Sequence, residues 1–208
     1  MKPFTSFLFT IIIFFFFGFA GEEKNSESIA LGTMAPKTDL KMHDISGKEI
    51  SLAEIKKENG LLVIFSCNTC PFVLAWEDRY PGLSGVCEKY KIGMVLINSN
   101  EAKRQGDDSM EEMKKHATEK NYSCYYAADE NSEIANAFGA KSTPHVFLFD
   151  KDFKLAYRGS IDDTEGKKGK QATVNYLGNA IENLAKGKPI DPGETKAVGC
   201  SIKRVKKE

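Results

Sequence analysis

Five consecutive apolar residues, Leu61 to Phe65, run straight into the segment Ser66-Cys67-Asn68-Thr69-Cys70-Pro71. A short apolar run without polar alternation reads as a strand buried on both faces, which requires a sheet covered on two sides. A second such run, in IGMVLINSN at 92–100, follows one helical segment later. Strand, helix, strand, helix, a hairpin and a last helix then describe an α/β domain, a central mixed sheet with helices on both faces.

The intervening segments carry their own signals. From Cys70 to Tyr90 the residues Val73, Trp76, Leu83 and Val86 recur at helical spacing, and Pro81-Gly82 predicts a kink or break there. Ser109 followed by Glu112 matches a capping box at the start of DDSMEEMKKHATEKN. Cys124 to Ala127 reads as a short strand, and NSEIANAFGA as a helix ending at Gly139. HVFLFD and KLAYRG pair across a tight turn at Lys151-Asp152, and ISGKEI is a hairpin turning at Ser46-Gly47 within an N-terminal extension from Ile29 to Leu52. Thr173 to Lys186 sets Val174, Leu177, Ile181 and Leu184 on one helix face.

The ends divide the chain further. Lys2, an almost unbroken Phe, Leu and Ile run at 7–17, and the small-residue ending Gly18-Phe19-Ala20 predict a signal peptide at 1–20, followed by a flexible leader at 21–28. The domain occupies 29–187, and 188–208 is an irregular Lys-, Gly- and Pro-rich tail. Cleavage after Ala20 makes the protein exported and periplasmic, without membrane attachment. An uncleaved membrane anchor is the alternative, and it too places the domain outside the cytoplasm, where disulfides persist. Lys plus Arg and Asp plus Glu both total 29, so no overall field draws the chain to nucleic acid or an anionic membrane.

Five cysteines, Cys67, Cys70, Cys87, Cys124 and Cys200, are too few and too scattered for a disulfide scaffold. Cys67 and Cys70 have redox-pair spacing at a strand-to-helix junction. A helix N-terminus beside a sulfur favours the attacking thiolate, and two intervening residues let the second thiol release a mixed disulfide. Position alone makes Cys67, at the strand end, the exposed nucleophile, and Cys70, one turn inside, the resolving thiol. A structural zinc site lacks a second paired spacing, since His43, His116, His145 and Cys200 are single residues. Copper(I) held by Cys67, Cys70 and a histidine is a remaining metal alternative. Cys87 and Cys124 read as packing residues. In Ser142-Thr143-Pro144-His145 the proline before a strand suits a cis peptide that offers the Thr143 backbone to a substrate strand. Cys200 is either a third redox thiol or a buried residue of a docked extended segment in which Val198 and Ile202 alternate. Asn98, Ser99 and Asn100 mark a strand's carboxyl end, where open sheets bind ligands, but are also ordinary loop residues.

CNTCPF and STPH in this order resemble the thioredoxin superfamily. Together with WEDR, INSN, DDSMEEM, YRGSIDD and GCSIK, they are similar to a bacterial branch of redoxin-domain, peroxiredoxin-like proteins over about Ile29 to Lys203. The resemblance implies a thioredoxin-like fold, an active site at Cys67 and Cys70, and Pro144 as its cis-proline. The chain also departs from those patterns. Leu61 stands where thioredoxins carry a buried acid. Ile64 and Gly60, counted from Cys67, or Cys67 and Val63, counted from Cys70, replace the hydroxyl residue and proline of peroxiredoxins. The function expected is therefore thiol-disulfide exchange without a bound cofactor, by a monomer. Its partners would be cysteines of exported proteins or a small disulfide, with a separate redox partner. Thiol peroxidase activity, resolved by Cys70 or Cys200, is the other enzymatic alternative.

Overall fold

Alternate residues of one strand, β3 (Gly60–Ser66), serve two separate cores in the computed structural model, which describes residues 27–205. Leu62 and Ile64 face one side, and Leu61, Val63 and Phe65 the other, all with no exposed surface. β4 (Ile92–Asn98) lies parallel to β3 with Gly60 opposite Ile92, and β7 (His145–Phe149) runs antiparallel on its other edge. The seven-stranded sheet has the order β2-β1-β5-β4-β3-β7-β8, with β1 Met42–Asp44, β2 Glu49–Ile50, β5 Tyr125–Ala128 and β8 Leu155–Gly159. The mixed sheet matches the expectation. The N-terminal hairpin is no appendage, because β1 also pairs with β5 and continues the sheet.

Helices cover both faces. α2 (Pro71–Trp76), α3 (Tyr80–Lys89), α4 (Met110–Glu119) and α6 (Tyr176–Ala185) pack on the Leu62 side. α1 (Leu52–Ile55) and α5 (Glu133–Phe138) pack on the Leu61 side. The short α1 was not expected, although Ser51 and Glu54 form a reciprocal capping box at its start. The break between α2 and α3 falls at a 3-10 turn, Glu77–Arg79, and not at Pro81-Gly82. Pro81 sits in the first turn of α3, where its missing N–H costs no hydrogen bond. α6 begins at Tyr176, capped by Asn175, so Val174 precedes it and is exposed. The β7–β8 turn is wider than two residues, because Asp150 Oδ1 accepts from the N–H groups of both Asp152 and Lys154. β5 starts one residue after Cys124.

Gly60 is required by a close approach. Its φ is +144°, and a Cβ there would lie 2.1 Å from the Phe149 carbonyl oxygen, at the start of the β3–β7 ladder. Gly60→Ala should therefore destabilise the protein by about 1–3 kcal/mol through backbone strain. Urea unfolding measures this, and an unchanged midpoint would refute it.

The expected signal peptide and the leader as far as 26 lie outside the described residues. The leader's last part is docked, since Ser28 Oγ donates to Gly139 O and Ser28 O accepts from Arg158. Among the described residues, no helix is long and apolar enough to cross a membrane. The tail is also more ordered than its composition suggests. Its β9 (Cys200–Ser201) pairs antiparallel with β6 (Ser142–Thr143), and Ile202 is buried in the Leu61-side core.

Candidate active site

The parallel β3 delivers Cys67 at the carboxyl edge of the sheet, and α2 begins at Pro71 directly after Cys70. Phe65 on β3 faces His145 on β7, so the residues just before β7 lie beside the cysteine loop. The Thr143–Pro144 peptide there is cis. Cys67 Sγ is 3.3 Å from Thr143 Oγ1, and Cys70 Sγ is 3.1 Å from Thr143 O. Cys67, Cys70, Thr143 and Pro144, separated by over seventy residues in sequence, therefore form one cluster. All five cysteines are free thiols.

The two thiols of the pair are not equivalent. Cys70 is the N-cap residue of α2. The neighbouring Cys67 thiol, with the Cys200 thiol and the Val73 and Cys200 N–H groups, holds the Cys70 thiol below the usual range against the opposing effect of burial. The neighbouring Cys70 thiol and burial push the Cys67 thiol up, and the charge of Asp108 adds to the rise. The expectation of an exposed Cys67 and an inner Cys70 is corrected accordingly. Cys67 and Cys70 are 2% and 5% exposed, and the helix starts one residue after Cys70, so its positive end acts on Cys70.

A buried polar network holds the loop from behind. Asp108, with no exposed surface, accepts hydrogen bonds from the Asn68 N–H (2.9 Å), Asn98 Nδ2 (2.8 Å) and Asn100 Nδ2 (3.0 Å). Asn68 Nδ2 donates to Asp107 O, and the Tyr126 hydroxyl donates to Asn68 Oδ1. Three donors compensate the burial of one carboxylate and fix Asn68 within the pair. Asn98, Ser99 and Asn100 are thus buried internal partners, not an open ligand edge. Sequence reasoning missed Asp108, whose place in an acidic stretch before a helix resembles ordinary N-terminal charge. The resemblance that INSN and DDSMEEM share in alongside CNTCPF was the available signal.

The remaining candidates have structural partners. Trp76 is wholly buried, and its Nε1 donates to Asp162 Oδ1, which joins WEDR to YRGSIDD and holds α2 against the loop after β8. His116 bonds Glu77, His43 pairs with Glu130, and among the described residues no group of three His, Cys, Asp or Glu side chains is arranged to hold a metal. His145 is buried against Phe147, and burial followed by the Arg158 charge lowers its pKa to about 4. It therefore stays neutral at neutral pH. Burial pushes the thiols of Cys87 and Cys124 up to about 12. Both suit packing better than exchange.

A family profile described as AhpC/TSA family matches residues 31–158. Among solved structures, an uncharacterized conserved protein from Geobacillus kaustophilus is 33% identical, with a TM-score of 0.80 over 86% of this chain and 94% of its own. The hypothetical protein SMc02350 from Sinorhizobium meliloti 1021 is 32% identical, with a TM-score of 0.79 over 86% of this chain and 97% of its own. Peroxidoxin BcpB from Mycobacterium tuberculosis is 14% identical, with a TM-score of 0.56 over 75% and 96%, a likeness of fold. None of the curated proteins matches the chain.

Proposed function

The chain belongs to the AhpC/TSA family of redoxin proteins, with a thioredoxin-like fold, and from that premise we propose that it is a thiol-disulfide oxidoreductase working through Cys67 and Cys70. The supporting observation is the convergence of two free thiols on Thr143 beside a cis-proline, with Cys67 Sγ 3.3 Å from its Oγ1 and Cys70 Sγ, at the N-cap of α2, 3.1 Å from its carbonyl oxygen. Cys70 thiolate attacks a disulfide sulfur, forming a Cys70 mixed disulfide and expelling one thiolate. Cys67 then attacks Cys70 Sγ, giving the Cys67–Cys70 disulfide and a second thiol product.

No cofactor enters this cycle, and it runs in either direction with the potential of the partner. The apolar run at 7–17 supports export, so the substrates are cysteines of exported proteins or a small disulfide. Mixing the reduced protein with oxidised glutathione should yield two equivalents of reduced glutathione and one Cys67–Cys70 disulfide. A protein that leaves oxidised glutathione untouched yet consumes hydroperoxide in stopped flow is a peroxidase, and the reading fails.

A further inference from the structure

The tail brings a third thiol to the pair. Thr143 is in register with Cys200, so the chain's own segment Gly199–Ser201 lies along the strand edge beside Pro144. The fit is close, because a Cβ on Gly199 would lie 2.2 Å from the Thr143 carbonyl oxygen. Cys70 Sγ lies 3.1 Å from the same Thr143 carbonyl oxygen, and Cys200 packs against the core cluster that holds Cys67 and Cys70. Cys200 is half-buried, whereas Cys67 and Cys70 lie beneath it with almost no exposed surface.

The segment is anchored on both sides of Cys200. Upstream, Thr195 N–H donates to Arg158 O and Ser160 Oγ to Lys196 O. Downstream, Ile202 is 5% exposed, Ile202 N–H donates to Lys141 O, and Lys203 N–H donates to Asn100 Oδ1. Arg204 Nη2 donates to Ala140 O. Burial of an isoleucine and several hydrogen bonds across long sequence separations oppose release of this segment. Cys200 is thus a fixed part of the site, and its sulfur is the member of the three most open to solvent.

We propose that Cys200 is the solvent-side thiol of a three-cysteine relay, through which electrons pass between an external disulfide and the buried Cys67 and Cys70. The proposal rests on the oxidoreductase reading and deepens it by inserting Cys200 before Cys70, so that the disulfide sulfur Cys70 attacks is that of a Cys200 mixed disulfide and not the external disulfide itself. Burial and the neighbouring Cys70 push the Cys200 thiol up to about 11, so its reactive fraction grows as pH rises; that thiolate attacks one sulfur of an external disulfide, forming a Cys200 mixed disulfide and expelling a thiolate that takes up a proton. Cys70 thiolate attacks the Cys200 sulfur, so a Cys70–Cys200 bond forms and the second external thiolate leaves. Cys67 thiolate attacks the Cys70 sulfur, the Cys67–Cys70 disulfide forms, and Cys200 is returned as thiolate. One external disulfide is reduced to two thiols, and two protein thiols are oxidised to one disulfide. The three cysteines gather about Thr143, with Cys67 Sγ 3.3 Å from its hydroxyl, Cys70 Sγ 3.1 Å from its carbonyl oxygen, and Cys200 opposite it in the β6–β9 pair.

Two full-length variants test the relay with oxidised glutathione as the probe. Cys67→Ser blocks the last step, so one equivalent of probe should leave a Cys70–Cys200 disulfide on non-reducing peptide mapping and no glutathione on the protein. Cys200→Ser and Cys200→Ala should each form the Cys67–Cys70 disulfide at least tenfold more slowly than the unaltered chain, while reaching it in full. The relay is overturned if Cys67→Ser retains glutathione on Cys70 with Cys200 free, or if both Cys200 variants oxidise at the unaltered rate. If the unaltered chain forms no Cys67–Cys70 disulfide, the oxidoreductase reading falls and the relay with it, whereas a chain that forms this disulfide equally fast without Cys200 loses the relay alone.

Discussion

Cys70→Ser is expected to lower disulfide-exchange turnover about a thousandfold or more, the scale on which loss of a covalent nucleophile acts. Cys70 is the N-cap residue of α2, and the neighbouring Cys67 holds its thiol below the usual range. The same asymmetry gives a pH dependence with a definite sign. Because the Cys70 thiol is held down, its thiolate persists below the ordinary thiol pKa of about 8.5 and is lost as pH falls through the lowered value. Iodoacetamide should therefore label Cys70 ahead of Cys67 at neutral pH, with a half-maximal rate below pH ~8.5. Labelling of Cys67 first would reverse the assignment. Cys67→Ser should instead retain the first attack and fail to close the internal disulfide. Its product is a cysteine of the site trapped in a disulfide elsewhere.

Asp108→Ala should be the most damaging single change away from the cysteines. It strands three buried N–H donors, on Asn68, Asn98 and Asn100, each of which costs about 1–3 kcal/mol when left unpaired, so a loss of about 3 kcal/mol or more is expected. Denaturant unfolding measures it, and a loss under about 1 kcal/mol would show that the network is not holding the loop. Asp108→Asn separates charge from packing. The neighbouring Cys70 thiol and burial raise the Cys67 thiol most, and Asp108 adds its charge. Asp108→Asn in a Cys70→Ser background should then move the Cys67 alkylation profile to lower pH.

Local patterns made the scaffold legible and left the support of the site hidden. The apolar runs at 61–65 and 92–97 have the short length and composition of buried strands, and both lie where expected. Cys67, Cys70, Thr143 and Pro144 were nameable because each is marked by residue type at a predicted element boundary. The two-residue pairing of β9 with β6 has no period to read, and its partners are 57 positions apart at Thr143 and Cys200. Asp108 was hidden for the same reason, since its meaning comes from Asn68 and Asn98, which only the folded sheet brings near. The Cys67 and Cys70 roles depended on where α2 begins. A start at Pro71 places the helix end on the second thiol, a shift of a few residues that helical spacing alone does not define.

The most direct test of the Cys67 and Cys70 pair is a redox titration. The protein is equilibrated in thiol-disulfide buffers from about −320 to about −120 mV, quenched in acid, alkylated and mapped by mass. The predicted result is one two-electron transition in which Cys67 and Cys70 alone lose alkylation, with Cys87 and Cys124 labelled only after unfolding and Cys200 a thiol at both ends. Full alkylation of Cys67 and Cys70 at every potential would contradict the assignment of the pair as the redox centre.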